Sequence, residues 1–317
     1  MKKLFFLFGW ATALFAVDPS PRVILVVIDG VRHEESVDQS IMPGLQAMKK
    51  KGLSFEQFEI SNSEGISLPA YADIFAGKRQ KEITSNDLSP VELHSYSPTI
   101  FEEVTRQNKL KEEEVAIVPS WKKLCPLALS GNAEKSKMIL DCSKAAPEKY
   151  EDSRADVETF ASLKKILSEK TPKLVFAHFV DADEEAHAQS KKKKDKQDKG
   201  PYLDALKKSD EYVQSIEKLI DENPFYRNKT YLLVTTDHGR DTQWTDHGKC
   251  CLCENFKKSF LIIKGPGITA QNISTLRDHR DLAPTIAKIF GAKMHASQGK
   301  DLLTNPSRTQ ASLPPKH

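Results

Sequence analysis

The stretch YLLVTTDHGRDTQWTDHG, residues 231–248, holds an apolar run, then Asp237-His238-Gly239, then Asp246-His247-Gly248. Tyr231, Leu232, Leu233 and Val234 read as a short strand covered on both faces. Asp and His placed directly after it cannot continue that burial alone, because an unpaired buried charge is very costly. The partners open to them are a hydrogen-bond network or a metal ion. The rest of the chain decides between the two.

Outward from this strand, apolar runs alternate with helical spacing. Arg22–Ile28, RVILVVI, is a β-branched run that breaks at Asp29-Gly30. Residues 41–50 have helical spacing with a stop at Gly52, and residues 53–60 are strand-like. Ser67–Ala76 reads as a helix, with Pro69 in its first turn and Gly77 past its end. Residues 114–118 and 137–140 are further strands. An amphipathic helix over 155–168 leads into an apolar strand over 174–180, which ends on Asp181 and Asp183. A long helix over 201–220 precedes the quoted strand; residues 260–263 are strand and 281–290 helix. This order predicts an α/β fold, a mostly parallel central sheet with helices on both faces. With neither repeats nor a linker, residues 17–305 are expected to form a single domain, and 306–317 a disordered tail.

Charged residues make up 29% and apolar ones 39%, ordinary for a globular protein, and the formal net charge is +3. MKKLFFLFGWATALFA, residues 1–16, has two lysines, an apolar run and small residues at its end, the order of a secretory signal peptide. The run is shorter than the roughly 20 residues that a membrane span needs, and no Cys follows it to carry a lipid. The expectation is an exported protein, periplasmic or secreted, with no membrane span after cleavage. Without Lys2 and Lys3 the chain is nearly neutral, and no nucleic-acid-binding module is evident. All five cysteines fall in the exported part, where disulfides persist. Cys125 and Cys142 are the expected bridge; Cys250, Cys251 and Cys253 read as a bridge or loop thiols, with metal ligation the less favoured alternative. The run KKKKDKQDK, residues 191–199, reads as a solvated loop or helix end, placed to draw anions toward a nearby site.

Three apolar strands end on aspartate: Asp29, Asp183 and Asp237. Ligands of open α/β sheets bind beyond the carboxyl ends of strands, so the three are expected to converge. His187 stands four residues after Asp183, a spacing that brings both side chains to one point on a helical turn. His238 adjoins Asp237, and His247 adds a third imidazole. Carboxylate plus imidazole is the ligand mix of Zn²⁺ or a similar divalent ion, and six such groups suffice for two ions.

The ordered set resembles the alkaline phosphatase superfamily over most of the chain. Its landmarks run from an Asp after the first strand (VVIDGVR) to a Ser opening a helix (ISLPAYADIFAG) and Asp-x-x-x-His (DEEAH). Asp-His-Gly (TTDHGR), a last His (TDHG) and a closing helix (HRDLAPTIAKIFG) follow. The resemblance implies two divalent ions, Zn²⁺ first and Mg²⁺ or Mn²⁺ as alternatives. Asp183, His187 and His247 would hold one, and Asp29, Asp237 and His238 the other. It also implies Ser67 as nucleophile on a small phosphate ester, since a hydroxyl needs activation by a metal or base. Asp181 competes with Asp183 but lacks the spacing to His187, and Asp246 reads as a loop acid.

Within the superfamily, sulfatases carry Ser/Cys-x-Pro-x-Arg, converted to formylglycine; Ser67-Leu68-Pro69-Ala70-Tyr71 lacks the Arg, which argues against a sulfatase. Cofactor-independent phosphoglycerate mutases need an inserted domain for which there is no space. Asn86 lies where nucleotide pyrophosphatase/phosphodiesterases have a phosphate-contacting Asn. Ser120-Trp121-Lys122 resembles the Ser-x-Lys element of bacterial alkaline phosphatases, though Leu124 stands where those have Arg. Lys122 tips the expectation toward a phosphomonoesterase over a phosphodiesterase; a non-catalytic metal- or phosphate-binding protein is the further alternative.

Overall fold

The structure is a computed structural model that describes residues 18–61, 65–89, 91–131, 137–142, 152–241, 244 and 255–304. The expected signal segment, Asp246, His247, the Cys250–Cys253 group and the expected tail lie outside the described residues.

In chain order the elements are β1 (Arg22–Ile28), α1 (His33–Ser36), α2 (Pro43–Lys49), β2 (Leu53–Glu59), α3 (Ser67–Ala76) and α4 (Ile100–Asn108). Next come β3 (Val115–Pro119), α5 (Leu124–Leu127), β4 (Ile139–Leu140), α6 (Asp156–Glu169), β5 (Leu174–Phe179), α7 (Asp181–Ser190) and α8 (Gly200–Glu222). The chain continues through β6 (Thr230–Thr235), β7 (Lys258–Lys264), β8 (Gln271–Ile273), β9 (Arg277–Asp278) and α9 (Leu282–Ile289). The described strands form one sheet in the order β4-β3-β5-β1-β6-β7-β2-β8, with β9 beside β2. β1 pairs in parallel with both β5 and β6, and only β7 runs against its neighbours. The expected mostly parallel sheet is therefore present.

The two-residue period of the strands produces a core on each face. Along β1, Val23, Leu25 and Val27 enter one cluster with residues of α3, α4 and α9. Ile24, Val26 and Ile28 enter the other, with residues of α2, α6 and α8. All seven β1 residues are buried. Each large apolar side chain so buried contributes roughly 1.5–3 kcal/mol, which makes β1 a rigid base for the residue that follows it. Because β2 is antiparallel to β7, and β7 to β6, the carboxyl end of β2 lies on the same edge as those of β1, β5 and β6. That edge receives α3, whose ten residues are all buried. Gly77 ends α3 in the left-handed conformation, φ 66°, and its N–H closes on Asp73 O at 2.8 Å. The expected Cys125–Cys142 disulfide is formed and ties α5 to the residues after β4.

Candidate metal centre and nucleophile

Asp29 follows β1, Asp237 and His238 follow β6, and α7 after β5 carries Asp183 and His187, so the sheet delivers all of them to one edge. Gly239 lets the Asp-His turn form: a Cβ there would lie 2.6 Å from Asn255 O, and its N–H donates to Phe256 O at 2.7 Å. Gly30, at φ +66°, sits where a Cβ would collide with Asp183 Oδ1.

Ligand atoms of Asp29, Asp237 and His238 lie within 4.8 Å of one another, and all three residues are buried. Each carboxylate has one oxygen tied and one directed inward. Asp29 Oδ2 accepts from Tyr71 Oη at 3.0 Å and from His178 Nε2 at 3.1 Å. Asp237 Oδ1 accepts from Gly30 N at 3.1 Å. The other two oxygens, Asp29 Oδ1 and Asp237 Oδ2, are buried with no hydrogen-bond partner. They stand 3.5 and 3.4 Å from His238 Nε2. His238 Nδ1 meets Gly239 O at 3.0 Å, so Nδ1 carries the proton and Nε2 presents its lone pair to the same point. Two partnerless carboxylate oxygens and an imidazole nitrogen thus converge on one buried point, the donor set of a divalent cation. Burial, and then the Asp183 carboxylate, push Asp29 well above the usual carboxylate range; burial and Asp29 do the same to Asp237. A divalent ion reverses exactly that penalty by pairing the charges. These residues fit a metal.

Ser67 Oγ, 4% exposed at the start of α3, lies 3.2 Å from His238 Nε2. Asp183 Oδ1 is 4.0 Å from the same nitrogen, and Asp183 Oδ2 is 3.2 Å from His187 Nε2. The Asp183 carboxylate is the first cause that raises the His187 pKa above its ordinary value. Asp181, the competitor, accepts from Asp156 N at 3.3 Å. Asn86 Oδ1 accepts from Leu68 N at 3.0 Å, beside Ser67. Lys122 is turned outward, its side chain 47% exposed and paired with Asp152. Lys123 faces inward instead, with Nζ donating to Asn86 O at 2.8 Å.

Three residues of the centre escaped the sequence reading. Tyr71 stands one helical turn after Ser67, a spacing that could have revealed it. His178 is a lone polar residue within the buried strand β5; burial lowers its pKa to about 3, so it is neutral. Its Nδ1 accepts from Trp121 N at 3.4 Å, which assigns the Nε2 proton to Asp29. Arg240 directly follows Asp-His-Gly and is fully buried against Asp183.

A sheet of this topology, with acids and imidazole at the carboxyl edge and a buried serine against them, defines a hydrolase of the alkaline phosphatase superfamily. Within it, the chain belongs to the Sulfatase family, which it matches over residues 129–292, just over half its length. No curated protein matches the sequence. Among solved structures, a protein in the alkaline phosphatase superfamily from Vibrio parahaemolyticus superposes with a TM-score of 0.65. The two are 13% identical, and the match covers 89% of this chain and 69% of that one. A phosphonate monoester hydrolase from Silicibacter pomeroyi gives a TM-score of 0.61 at 14% identity, covering 92% of this chain and 78% of that one. A 2-O GAG sulfatase gives 0.68 at 14% identity, covering 93% and 76%. At these identities the likeness is one of fold. Among the described residues, no helix is long and apolar enough to cross a membrane.

Proposed function

We propose that the chain is an exported hydrolase of phosphate esters, acting through a phosphoserine at Ser67 and favouring monoesters over diesters. The carrying observation is Ser67 Oγ at a helix start, 3.2 Å from the nitrogen that faces the orphaned carboxylate oxygens. Asp29, Asp237 and His238 would hold one divalent ion, and Asp183, His187 and His247 a second, with Zn²⁺ the best match to carboxylate and imidazole. Bound there, such ions supply charge stabilisation for the attacking and leaving oxygens of an in-line displacement.

The protein's own groups do the rest. The N-terminus of α3 offers N–H donors and a favourable dipole to an anion beside Ser67. In-line attack forms the Oγ–P bond as the ester P–O bond breaks; the serine proton leaves to solvent, and the departing alkoxide takes a proton from water. Water then cleaves the phosphoserine to inorganic phosphate and restores Ser67. Asn86, anchored through Oδ1, keeps an Nδ2 donor for an outer phosphate oxygen. The cation for that role is Lys123: both lysines pair with Asp152, but only Lys123 also donates to Asn86 O, at 2.8 Å. The Cys125–Cys142 disulfide supports export, since such bonds persist in oxidising compartments.

The family match favours a second reading, a sulfate-ester hydrolase. A panel of phosphomonoesters, phosphodiesters and sulfate esters with added Zn²⁺, Mg²⁺ or Mn²⁺ separates the two, together with the mass of the Ser67 peptide. Phosphate turnover with an unmodified serine is expected; sulfate turnover with formylglycine at this position overturns the proposal. Ser67→Ala should abolish labelling by phosphate and lower the rate by roughly 10⁴ or more, with metal content unchanged. A fully active Ser67→Ala enzyme ends the covalent mechanism.

A further inference from the structure

Arg240 is fully buried and its guanidinium is committed to the segments that carry the ligands. Nε donates to Gly30 O at 3.0 Å, next to Asp29. Nη2 donates to Asp183 O at 3.2 Å and is ion-paired with Asp183 Oδ1. Nη1 reaches Trp244 O at 3.3 Å, and the ring of Tyr202 lies 5.8 Å from Cζ. Gly30 makes room for the pair: a Cβ there would collide with Asp183 Oδ1 and lie 2.9 Å from Nη2.

We infer that Arg240 makes the two ion positions unequal, one filled tightly at Asp29, Asp237 and His238, the other filled weakly at Asp183 and His187. The inference rests on the metal-centre reading above and concerns how this chain's residues divide between the ions. Asp29, Asp183 and Asp237 bring three negative charges, and Arg240 removes one. A single divalent ion then balances the buried charge, and a second enters a site already neutral. Geometry acts in the same direction. Asp183 Oδ1 is held by the guanidinium, so the carboxylate faces His187 with Oδ2 alone, whereas Asp29 and Asp237 each direct an oxygen with no partner at His238 Nε2. A site with one resident ion and one weakly held ion takes its full positive charge only when the second arrives. The free metal concentration thereby sets how strongly an anionic substrate is held.

The test is metal stoichiometry and affinity on the full chain, by dialysis against buffered Zn²⁺ with elemental analysis and by calorimetry. The wild type should keep one ion through dialysis and take the second with an affinity weaker by about 10- to 100-fold, the size of outer-sphere effects on metal sites. Arg240→Gln should tighten the second ion by a similar factor and leave the first unchanged. Two ions of equal affinity in the wild type, or an unchanged second affinity in a folded Arg240→Gln protein, overturns the inference. Should that variant fail to fold, Asp183→Asn keeps a carbonyl oxygen for Arg240. It should lose the second ion and hold the first within about threefold, a change small on the scale of outer-sphere effects; loss of both overturns the inference. A wild-type chain that binds no divalent ion removes the metal-centre reading itself, an outcome distinct from two equal ions.

Discussion

Replacing Tyr71 by Phe removes one oxygen atom from a buried helix and tests whether Asp29 is held as a ligand. The hydroxyl donates to Asp29 Oδ2 at 3.0 Å, and both residues are buried. The ring packs edge-on against His178 and Phe176, at 5.2 and 6.2 Å between centroids, and Phe preserves both contacts. Burial keeps the Tyr71 phenol well above its ordinary pKa, so it remains a donor. A hydrogen bond to a charged acceptor is worth about 1.5–3 kcal/mol, roughly 10- to 100-fold in a binding constant. His178 Nε2 remains on the same oxygen at 3.1 Å, which places the expected loss at the lower end, about tenfold in Zn²⁺ affinity. Without the hydroxyl the Asp29 carboxyl holds its proton more firmly, so the pH at which metal loads half-way should move upward. Competition with a chelating fluorophore across pH measures both quantities, and circular dichroism controls for folding. A folded Tyr71→Phe protein with wild-type affinity and an unmoved pH midpoint would refute the assignment of Asp29 as a ligand.

Two other predictions follow from the same geometry. Lys123→Ala should slow monoesters more than diesters, by roughly 10-fold for a lost charged hydrogen bond, while Lys122→Ala should change either by less than about twofold, as surface pairs do; the reverse order in kcat/KM would return the role to Lys122. Asp156 is buried beside Asp181, which together raise its pKa from 3.8 to about 7. A carboxyl that binds its proton more tightly when folded makes the native state lose stability as pH rises from about 4 to about 7, because the native state holds the extra proton in that window. Asp156→Asn should flatten this segment of a Tm-against-pH profile, and an unaltered slope would remove Asp156 as its source.

The legible parts of the molecule are those that local pattern determines. β1 and β6 are continuous apolar runs because both faces of a central parallel strand are covered, and burial of Arg22–Ile28 shows that cause directly. The four-residue spacing anticipated the Asp183–His187 pair, because a helical turn fixes which side chains share a face. α4 was overlooked although Thr99 and Glu102 form a capping box that could have announced it. β8 and β9, three and two residues long, are too short to show an alternation. That Lys123 and not Lys122 reaches Asn86 was beyond any pattern: both lysines pair with Asp152, and Asp152 and Asn86 are remote in sequence. Arg240 adjoins the most legible motif, yet its partners are Gly30 and Asp183, 210 and 57 residues away, so only the fold reveals the pairing.

The family match and the proposed substrate meet at one position. The matched segment, residues 129–292, contains Asp183, His187, Asp237, His238 and His247 but not Asp29, Ser67 or Asn86. It therefore covers five of the six expected ligands and speaks to the hydrolase class, while Ser67 and Asn86 lie outside it. In the Ser/Cys-x-Pro-x-Arg frame that sulfatases resembling this chain carry, the Arg position falls on Tyr71. Here that residue is fully buried, and its hydroxyl is bonded to Asp29. Arg in its place would remove the hydroxyl that ties Asp29 Oδ2 and loosen the hold on that carboxylate. The position that carries Arg in that frame is thus bonded to Asp29 in this chain. The proposed phosphoserine route requires an unconverted serine there. Tyr71→Arg should accordingly lose divalent metal, and should remain a serine at residue 67 by mass; metal retention with full phosphatase activity would break the link between Tyr71 and the ester this site hydrolyses.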